Sequence, residues 1–254
     1  MRAIVTGASS GIGRDMARYL SKLGYDLILV ARDEEKLKKL QEELKKNQKE
    51  VEYERVDLAN EEACREFHKR VKEKYGTVDM LINNAGFGLF GEFEKTDLDV
   101  EVSMIQTNVI AVHILTKLFL QDMRKKDQGM ILNVGSVAGF LPGPLMATYY
   151  ATKNYVYRFT ESIQYELRKE KSRIVVSVLC PGPVKTNFNQ VAKVKFNLKE
   201  RSSEEIAKYA IDQFLKKKRV IVPGWDIKLA RFFSKIIPDR ILMIASYHAQ
   251  DKKR

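Results

Sequence analysis

Residues 2–13 read Arg2-Ala3-Ile4-Val5-Thr6-Gly7-Ala8-Ser9-Ser10-Gly11-Ile12-Gly13, a short aliphatic run followed by three glycines spaced G-x-x-x-G-x-G. The run predicts a strand over 2–6, and a helical pattern follows over 11–23. Glycine in such a turn permits tight backbone geometry, brings main chain close to a pyrophosphate, and lets helix pack on strand. The spacing differs from the G-x-G-x-x-G of the standard dinucleotide fingerprint, and a plain strand-to-helix turn would also use two glycines. The strand before and the helix after favour the cofactor reading.

Outward from this turn the alternation repeats. Strands are predicted at 2–6, 26–31, 51–56, 78–82, 130–134, 173–179 and 219–222, and helices near 11–23, 33–48, 60–75, 100–126, 148–171 and 203–217. Repeated strand-then-helix units call for right-handed crossovers, hence a parallel sheet with helices on both faces. Ile28-Leu29-Val30-Ala31 is apolar throughout, as a strand covered on both faces should be. The expected fold is α/β: a doubly wound parallel β-sheet of the Rossmann type, with about seven strands and its ligands at their carboxyl ends. Residues 1–222 form the predicted dinucleotide-binding and catalytic domain. Pro223-Gly224 breaks the pattern, and residues 223–254 form an appended helical tail mixing Phe232, Phe233, Ile236, Ile237 and Ile241 to Ile244 with seven Lys or Arg.

The 254 residues suit one large domain, and 44% hydrophobic with 31% charged residues exclude wholesale disorder. The net charge of +12 invites a nucleic-acid reading. However, basic residues sit in mixed runs such as Glu34 to Lys46, where Leu37, Leu40 and Leu44 form one helix face and charges fill the others. That pattern predicts a solvated outer helix; a nucleic-acid surface would interleave aromatics with basic residues. A positive field still helps gather an anionic cofactor or substrate. Cys64 and Cys180, far apart, fit a reducing cytosol without disulfides. Residues 1–7 read as a strand entering a turn and not as a signal peptide, and the apolar runs are too short to span a bilayer. A cytoplasmic location is expected. His68, His113 and His248 have no ligand spacing, so no metal site is expected.

Five further motifs come in order. Asn83-Asn84-Ala85-Gly86 follows the fourth strand, Asn108 lies on the long helix, and Ser136 ends the fifth strand. Tyr149-Tyr150-Ala151-Thr152-Lys153 opens the next helix, and Pro181-Gly182-Pro183-Val184-Lys185-Thr186 follows the sixth strand. With the glycine turn, these resemble the short-chain dehydrogenase/reductase family over residues 2–222; the tail is not covered. The resemblance implies hydride transfer between a nicotinamide cofactor and a carbonyl/secondary alcohol pair. It implies Tyr149 as general acid in reduction and base in oxidation, Ser136 hydrogen-bonded to the substrate oxygen, Lys153 holding the nicotinamide ribose, and Asn108 carrying a relay water. It further implies a cofactor cradle of Gly7, Ser9, Ser10, Gly11, Ile12 and Gly13, an adenine contact at Asp57-Leu58, and a lining of Asn83, Ala85 and Gly86. Pro181, Gly182, Val184 and Thr186 would meet the carboxamide and pyrophosphate region. A homodimer or homotetramer paired through the helices of Asn108 and Tyr149 is implied as well. The plainer role of Asp57 is a cap for the helix that follows it.

Tyr149 and Lys153 are four apart and share a helix face, about 6 Å apart in rise. A tyrosine exchanging protons near neutrality must drop roughly 2–3 units from ~10, or about 3–4 kcal/mol. One ammonium about 4 Å away supplies that at an effective dielectric near 20. A depressed Tyr149 pKa is therefore expected. Tyr150 is the rival, but its i+4 neighbour is Asn154. Tyr–Lys pairs at this spacing are common on helices; Ser136, thirteen residues upstream, singles this one out.

The second strand ends Ala31-Arg32-Asp33. An acidic residue there would accept from the ribose hydroxyls of NAD, and an arginine would accommodate the 2′-phosphate of NADP. Asp33 precedes Glu34-Glu35-Lys36 as a helix N-cap would. In the family resembled, the acidic residue stands where Ala31 is, and arginine follows in many NADP users. NADP(H) is thus expected over NAD(H), by about 1.5–3 kcal/mol, although Ser10 stands where some NADP users place a second basic residue. Phe87, Leu89, Phe90, Phe140, Leu141, Met146 and Phe188 lie on substrate-facing stretches and suggest a hydrophobic ketone or 3-oxoacyl chain. The tail is expected to cap this pocket or join subunits; a basic amphipathic helix on an anionic membrane is the alternative. A non-catalytic NADP(H)-binding sensor or scaffold is the competing function, and it would tolerate loss of Tyr149 or Lys153, both of which are present. An epimerase or dehydratase of the extended branch fits the chain length and glycine positions less well.

Overall fold

The computed structural model describes residues 1–47, 50–185 and 201–251. Its strands are β1 (Arg2–Thr6), β2 (Asp26–Ala31), β3 (Val51–Arg55), β4 (Met80–Asn83), β5 (Met130–Val134), β6 (Val175–Leu179), β7 (Val184–Lys185), β8 (Arg201–Ser202) and β9 (Val220–Ile221). Seven of them form one parallel sheet in the order β3-β2-β1-β4-β5-β6-β9. The short β7–β8 pair is an addition that the sequence reading lacks.

Side-chain alternation divides the core. Ala3 and Val5 of β1 and Leu27 and Leu29 of β2 face one layer, with α1 (Gly11–Lys22), α2 (Glu34–Lys45) and α7 (Ser203–Leu215). Ile4, Ile28 and Val30 face the other, with α3 (Glu61–Tyr75) and the helix that follows β4. Both faces are buried, which explains the unbroken apolar strands. Leu37, Leu40 and Leu44 are the buried face of α2, as their spacing predicts.

The long helix over 100–126 is interrupted. It runs as α4 (Leu98–Ile105), a π-turn (Gln106–Ile110) and α5 (Ala111–Arg124). By length and composition Leu98–Arg124 could cross a membrane. Its apolar residues have a nearer use, since Ala111, Ile114, Leu115 and Phe119 pack with Phe67 and Val71 of α3. The next helix, α6 (Ala147–Lys169), carries Tyr149 and Lys153.

The tail forms two helices, α8 (Trp225–Phe233) and α9 (Asp239–Asp251). Ile227 buries α8 against Val178, Cys180 and Val222. Arg231 donates two hydrogen bonds to the Tyr157 hydroxyl, at 2.9 and 3.1 Å. Both cysteines are free and buried, Cys64 on the inner face of α3 and Cys180 beyond β6. Burial pushes their thiols up to about 11 and about 12.

Candidate active site

The site gathers at the carboxyl ends of the strands, where the order reverses between β1 and β4. Gly7 (φ 65°) and Gly11 (φ 54°) hold left-handed backbone that suits glycine. A Cβ on Gly7 would lie 2.7 Å from Asn84 Nδ2, and one on Gly13 would lie 2.5 Å from the Gly7 carbonyl oxygen. Asn84 braces the turn from behind, donating to the carbonyls of Thr6 (3.0 Å) and Gly7 (3.3 Å). The backbone N–H groups of Asn84 and Ala85 donate to Thr6 Oγ1 at 2.9 and 3.1 Å. Ser9, Ser10 and Ile12 stay partly exposed on the open side.

Asn83 turns the other way. Its amide donates to Thr116 Oγ1 (3.0 Å) and Asn133 Oδ1 (2.9 Å) in the interior. The side chain expected to line the cofactor cleft instead joins β4 to β5 and α5, while Asn84 turns toward the glycine turn. At a strand end, consecutive side chains point to opposite faces, and the inward one is Asn83.

Arg32 is exposed just past β2 and makes no ion pair or hydrogen bond with the described residues. Asp33 caps α2 by accepting from Lys36 N (3.1 Å), and its 2.5 Å pairing with Lys36 holds the carboxyl below its usual range. Asp57 is exposed and accepts from Ala59 N at 3.1 Å, while the cap of α3 is Asn60, which accepts from Ala63 N at 2.9 Å. The capping role read for Asp57 therefore belongs to Asn60. The Leu58 side chain lies in the core, which leaves only its backbone for the cleft. The Pro181 carbonyl accepts from Val137 N at 2.8 Å, Val184 is buried, and a Cβ on Gly182 would meet Ile227 at 2.6 Å. Thr186 and Phe188 lie outside the described residues.

Ser136, Tyr149 and Lys153 converge, all buried. Tyr149 is hydrogen-bonded to Ser136, and the Lys153 ammonium lies 5.9 Å from the Tyr149 ring centroid and donates to the Val134 carbonyl at 2.9 Å. Burial pushes the Tyr149 hydroxyl up to about 12, against which the Ser136 hydrogen bond works weakly. The same burial lowers Lys153 to about 8. The depressed tyrosine expected from the i, i+4 spacing is thus absent, because the spacing counts the Coulomb attraction and omits the cost of desolvation. Asn108 sits on the π-turn, fully buried; it donates to the Phe87 carbonyl (2.9 Å) and Thr152 Oγ1 (3.1 Å) and accepts from Phe87 N (3.1 Å). It clamps the segment that follows Gly86 beside Lys153, since a Cβ on Gly86 would lie 2.8 Å from Asn108 Oδ1 and 3.4 Å from Lys153 Nζ.

Phe87, Leu89, Phe90 and Tyr150 pack around Met104, Met146 and Tyr149. Phe140 departs from its expected place and packs behind α6, edge-on to Tyr157 at 5.9 Å. The tail helix α9 reaches this side, where buried Gln250 donates to the Tyr150 hydroxyl.

A statistical profile of the short chain dehydrogenases matches residues 1–195. The chain belongs to this family. The human dehydrogenase/reductase SDR family member 7 is 35% identical over 188 residues, which cover 72% of this dehydrogenase and 55% of the human protein's length. Among solved structures, a Sphingobium yanoikuyae short-chain dehydrogenase in complex with NADPH superposes with a TM-score of 0.82 at 28% identity, covering 93% of this dehydrogenase and 96% of that chain. A Burkholderia phymatum short chain dehydrogenase/reductase in complex with NAD gives 0.83 at 25% identity and covers 91% of each.

Four residues of the dehydrogenase escape the sequence reading. Thr6 and Asn84 lock the glycine turn. Asn154 pins the loop after Ser136 to α6 by donating to the carbonyls of Ala138 (2.9 Å) and Leu141 (3.2 Å). Gln250 meets Tyr150, one hundred residues away in sequence. Asn84 and Asn154 stand inside or beside the motifs and are findable by strand alternation and helix spacing; nothing local signals Gln250. His68 pairs with Asp122 at 2.7 Å and His113 with the Tyr155 hydroxyl at 2.6 Å, both structural contacts. Among the described residues, no cluster of three His, Cys, Asp or Glu could hold a metal.

Proposed function

We propose that this dehydrogenase transfers hydride between NADP(H) and a hydrophobic carbonyl/secondary alcohol pair, working in the direction of reduction. The observation that carries the reading is the buried Ser136, Tyr149 and Lys153 group at the strand ends, beside Phe87, Leu89 and Met146. The glycine-rich backbone from Gly7 to Gly13 and the exposed Arg32 guanidinium, without a partner among the described residues, fit a phosphate-bearing dinucleotide. Gly7, Ser9, Ser10, Gly11, Ile12 and Gly13 would hold the pyrophosphate, Arg32 the 2′-phosphate, Asp57 the adenine side, and Lys153 the nicotinamide ribose. When bound, the nicotinamide supplies the hydride.

The residues of the chain handle the proton. At neutral pH Tyr149 keeps its hydroxyl proton, the form a general acid needs, and Ser136 directs the carbonyl oxygen toward it. The proton leaves Tyr149 Oη for that oxygen, and the Lys153 ammonium stabilises the tyrosinate left behind. Phe87, Leu89 and Met146 exclude water from the exchange.

Initial rates of NADPH and NADH oxidation against apolar ketones and 3-oxoacyl thioesters test this, with Tyr149→Phe beside the wild type. We expect NADPH to be favoured by about ten- to hundred-fold, the worth of one charge-assisted phosphate contact. Activity should fall by roughly 10²–10⁴ in the variant. Preference for small polar sugars would remove the substrate reading, and tight NADPH binding without turnover would point to the sensor. We also propose a homodimer through α4 and α6, supported by exposed Leu98, Val102, Ile105 and Tyr155, and a cytoplasmic location, supported by two buried, unbridged thiols. Sedimentation velocity and cell fractionation check these.

A further inference from the structure

Helix α8 is fastened along one side only. Ile227 is buried, Ala230 and Ser234 are half-buried, and Arg231 reaches Tyr157. The opposite side presents Trp225, Leu229, Phe232 and Phe233, which fall within about 100° of the helix circumference, and Ile236 on the turn beyond. All five are exposed, Trp225 at 73%, Phe232 at 58% and Ile236 at 62%. Soluble surfaces rarely gather so many large apolar side chains in one place.

Lysines flank this stripe. Lys228 and Lys235, seven apart, are exposed along one flank. The carboxylate of α8, Asp226, is drawn away into a 2.7 Å ion pair with Arg201. A second copy is a poor match for such a face. Antiparallel two-fold pairing of α8 with itself would set each lysine flank against its equivalent. A bilayer bearing anionic headgroups has the opposite sign and an apolar interior within reach. Tryptophan settles at such a boundary, and phenylalanine and leucine make up the buried face of helices that lie there.

We propose that this face of α8 docks on the surface of an anionic lipid bilayer, with the Trp225–Phe232 stripe entering the boundary between headgroups and acyl chains and Lys228 and Lys235 meeting lipid phosphates. The docking seats the protein peripherally; no part of the chain crosses the bilayer in this arrangement.

Trp225 is the single tryptophan in the sequence, so its fluorescence reports on this face alone. Emission of the full-length protein is followed on titration with phosphatidylcholine vesicles containing or lacking phosphatidylserine, including vesicles with brominated acyl chains. With phosphatidylserine present, a blue shift and bromine quenching are expected, with partitioning about fivefold weaker for each lysine removed in Lys228→Ser and Lys235→Ser. Phe232→Ser should abolish partitioning while NADPH oxidation is unchanged, so the result is independent of the reaction proposed above. Emission that stays water-like with anionic vesicles overturns the proposal. So does a blue shift that appears without lipid and grows with protein concentration, which would assign the stripe to a second copy.

Discussion

Lys153 carries a buried ammonium that donates to the Val134 carbonyl. Lowering it from 10.5 to about 8 corresponds to about 3 kcal/mol of destabilisation while it is charged. The sign follows from proton counts. Between the folded value near 8 and the unfolded 10.5 the unfolded chain binds more protons, so stability rises with pH across that window. Below about 8 the full cost is present. Lys153→Met should therefore stabilise the protein by about 2 kcal/mol at pH 7, allowing for the lost hydrogen bond, and should abolish turnover. Urea denaturation checks it: the gain must shrink at pH 10, and a loss of stability at pH 7 would refute it. This tension between stability and chemistry was invisible in the i, i+4 spacing, which reports proximity and not solvent exclusion. Asp33, by contrast, was legible, because a helix cap is decided by its immediate neighbours. Asn83 and Asn84 were legible only as a pair, since the pleat at the end of β4 decides which amide turns inward.

The glycine turn and the π-turn show the same contrast between elements. The turn from Gly7 to Gly13 is written in residue type, and its geometry follows from the absence of side chains. In Gly13→Ala, the new methyl must displace the Gly7 carbonyl or the Asn84 amide, and overpacking of this kind costs about 1–3 kcal/mol. Because the displaced groups underlie the proposed dinucleotide cradle, the affinity for NADPH should fall more steeply than the urea midpoint, as isothermal titration would show; equal affinity would contradict the cradle. No residue pattern marks the π-turn. The apolar period of Leu98–Arg124 reads as one helix, and the single extra residue that swings Asn108 onto Phe87 and Thr152 is imposed by those partners.

Across the whole molecule, the seven-strand parallel sheet is legible because repeated strand–helix units admit few topologies. The placement of the tail is not, since Ile227, Arg231 and Gln250 find their partners at Gly182, Tyr157 and Tyr150, and no periodicity encodes such distances. The two thiols lie in different parts of this assembly. Cys64, on the inner face of α3, is sealed against the sheet residues Ile4, Ile28 and Val30, and Cys180 is sealed by Val222 and the Ile227 of α8. Sealed and protonated, neither reacts until its own cover lifts, so alkylation at each site keeps separate time for the opening of its region. If the tail peels off by itself, Cys180 will be alkylated well before Cys64 in native buffer, read by mass spectrometry of the two peptides. If the rates coincide, the tail and the sheet come apart in one event. The protein thus contains two clocks set to different doors, and their difference measures how independently the tail moves.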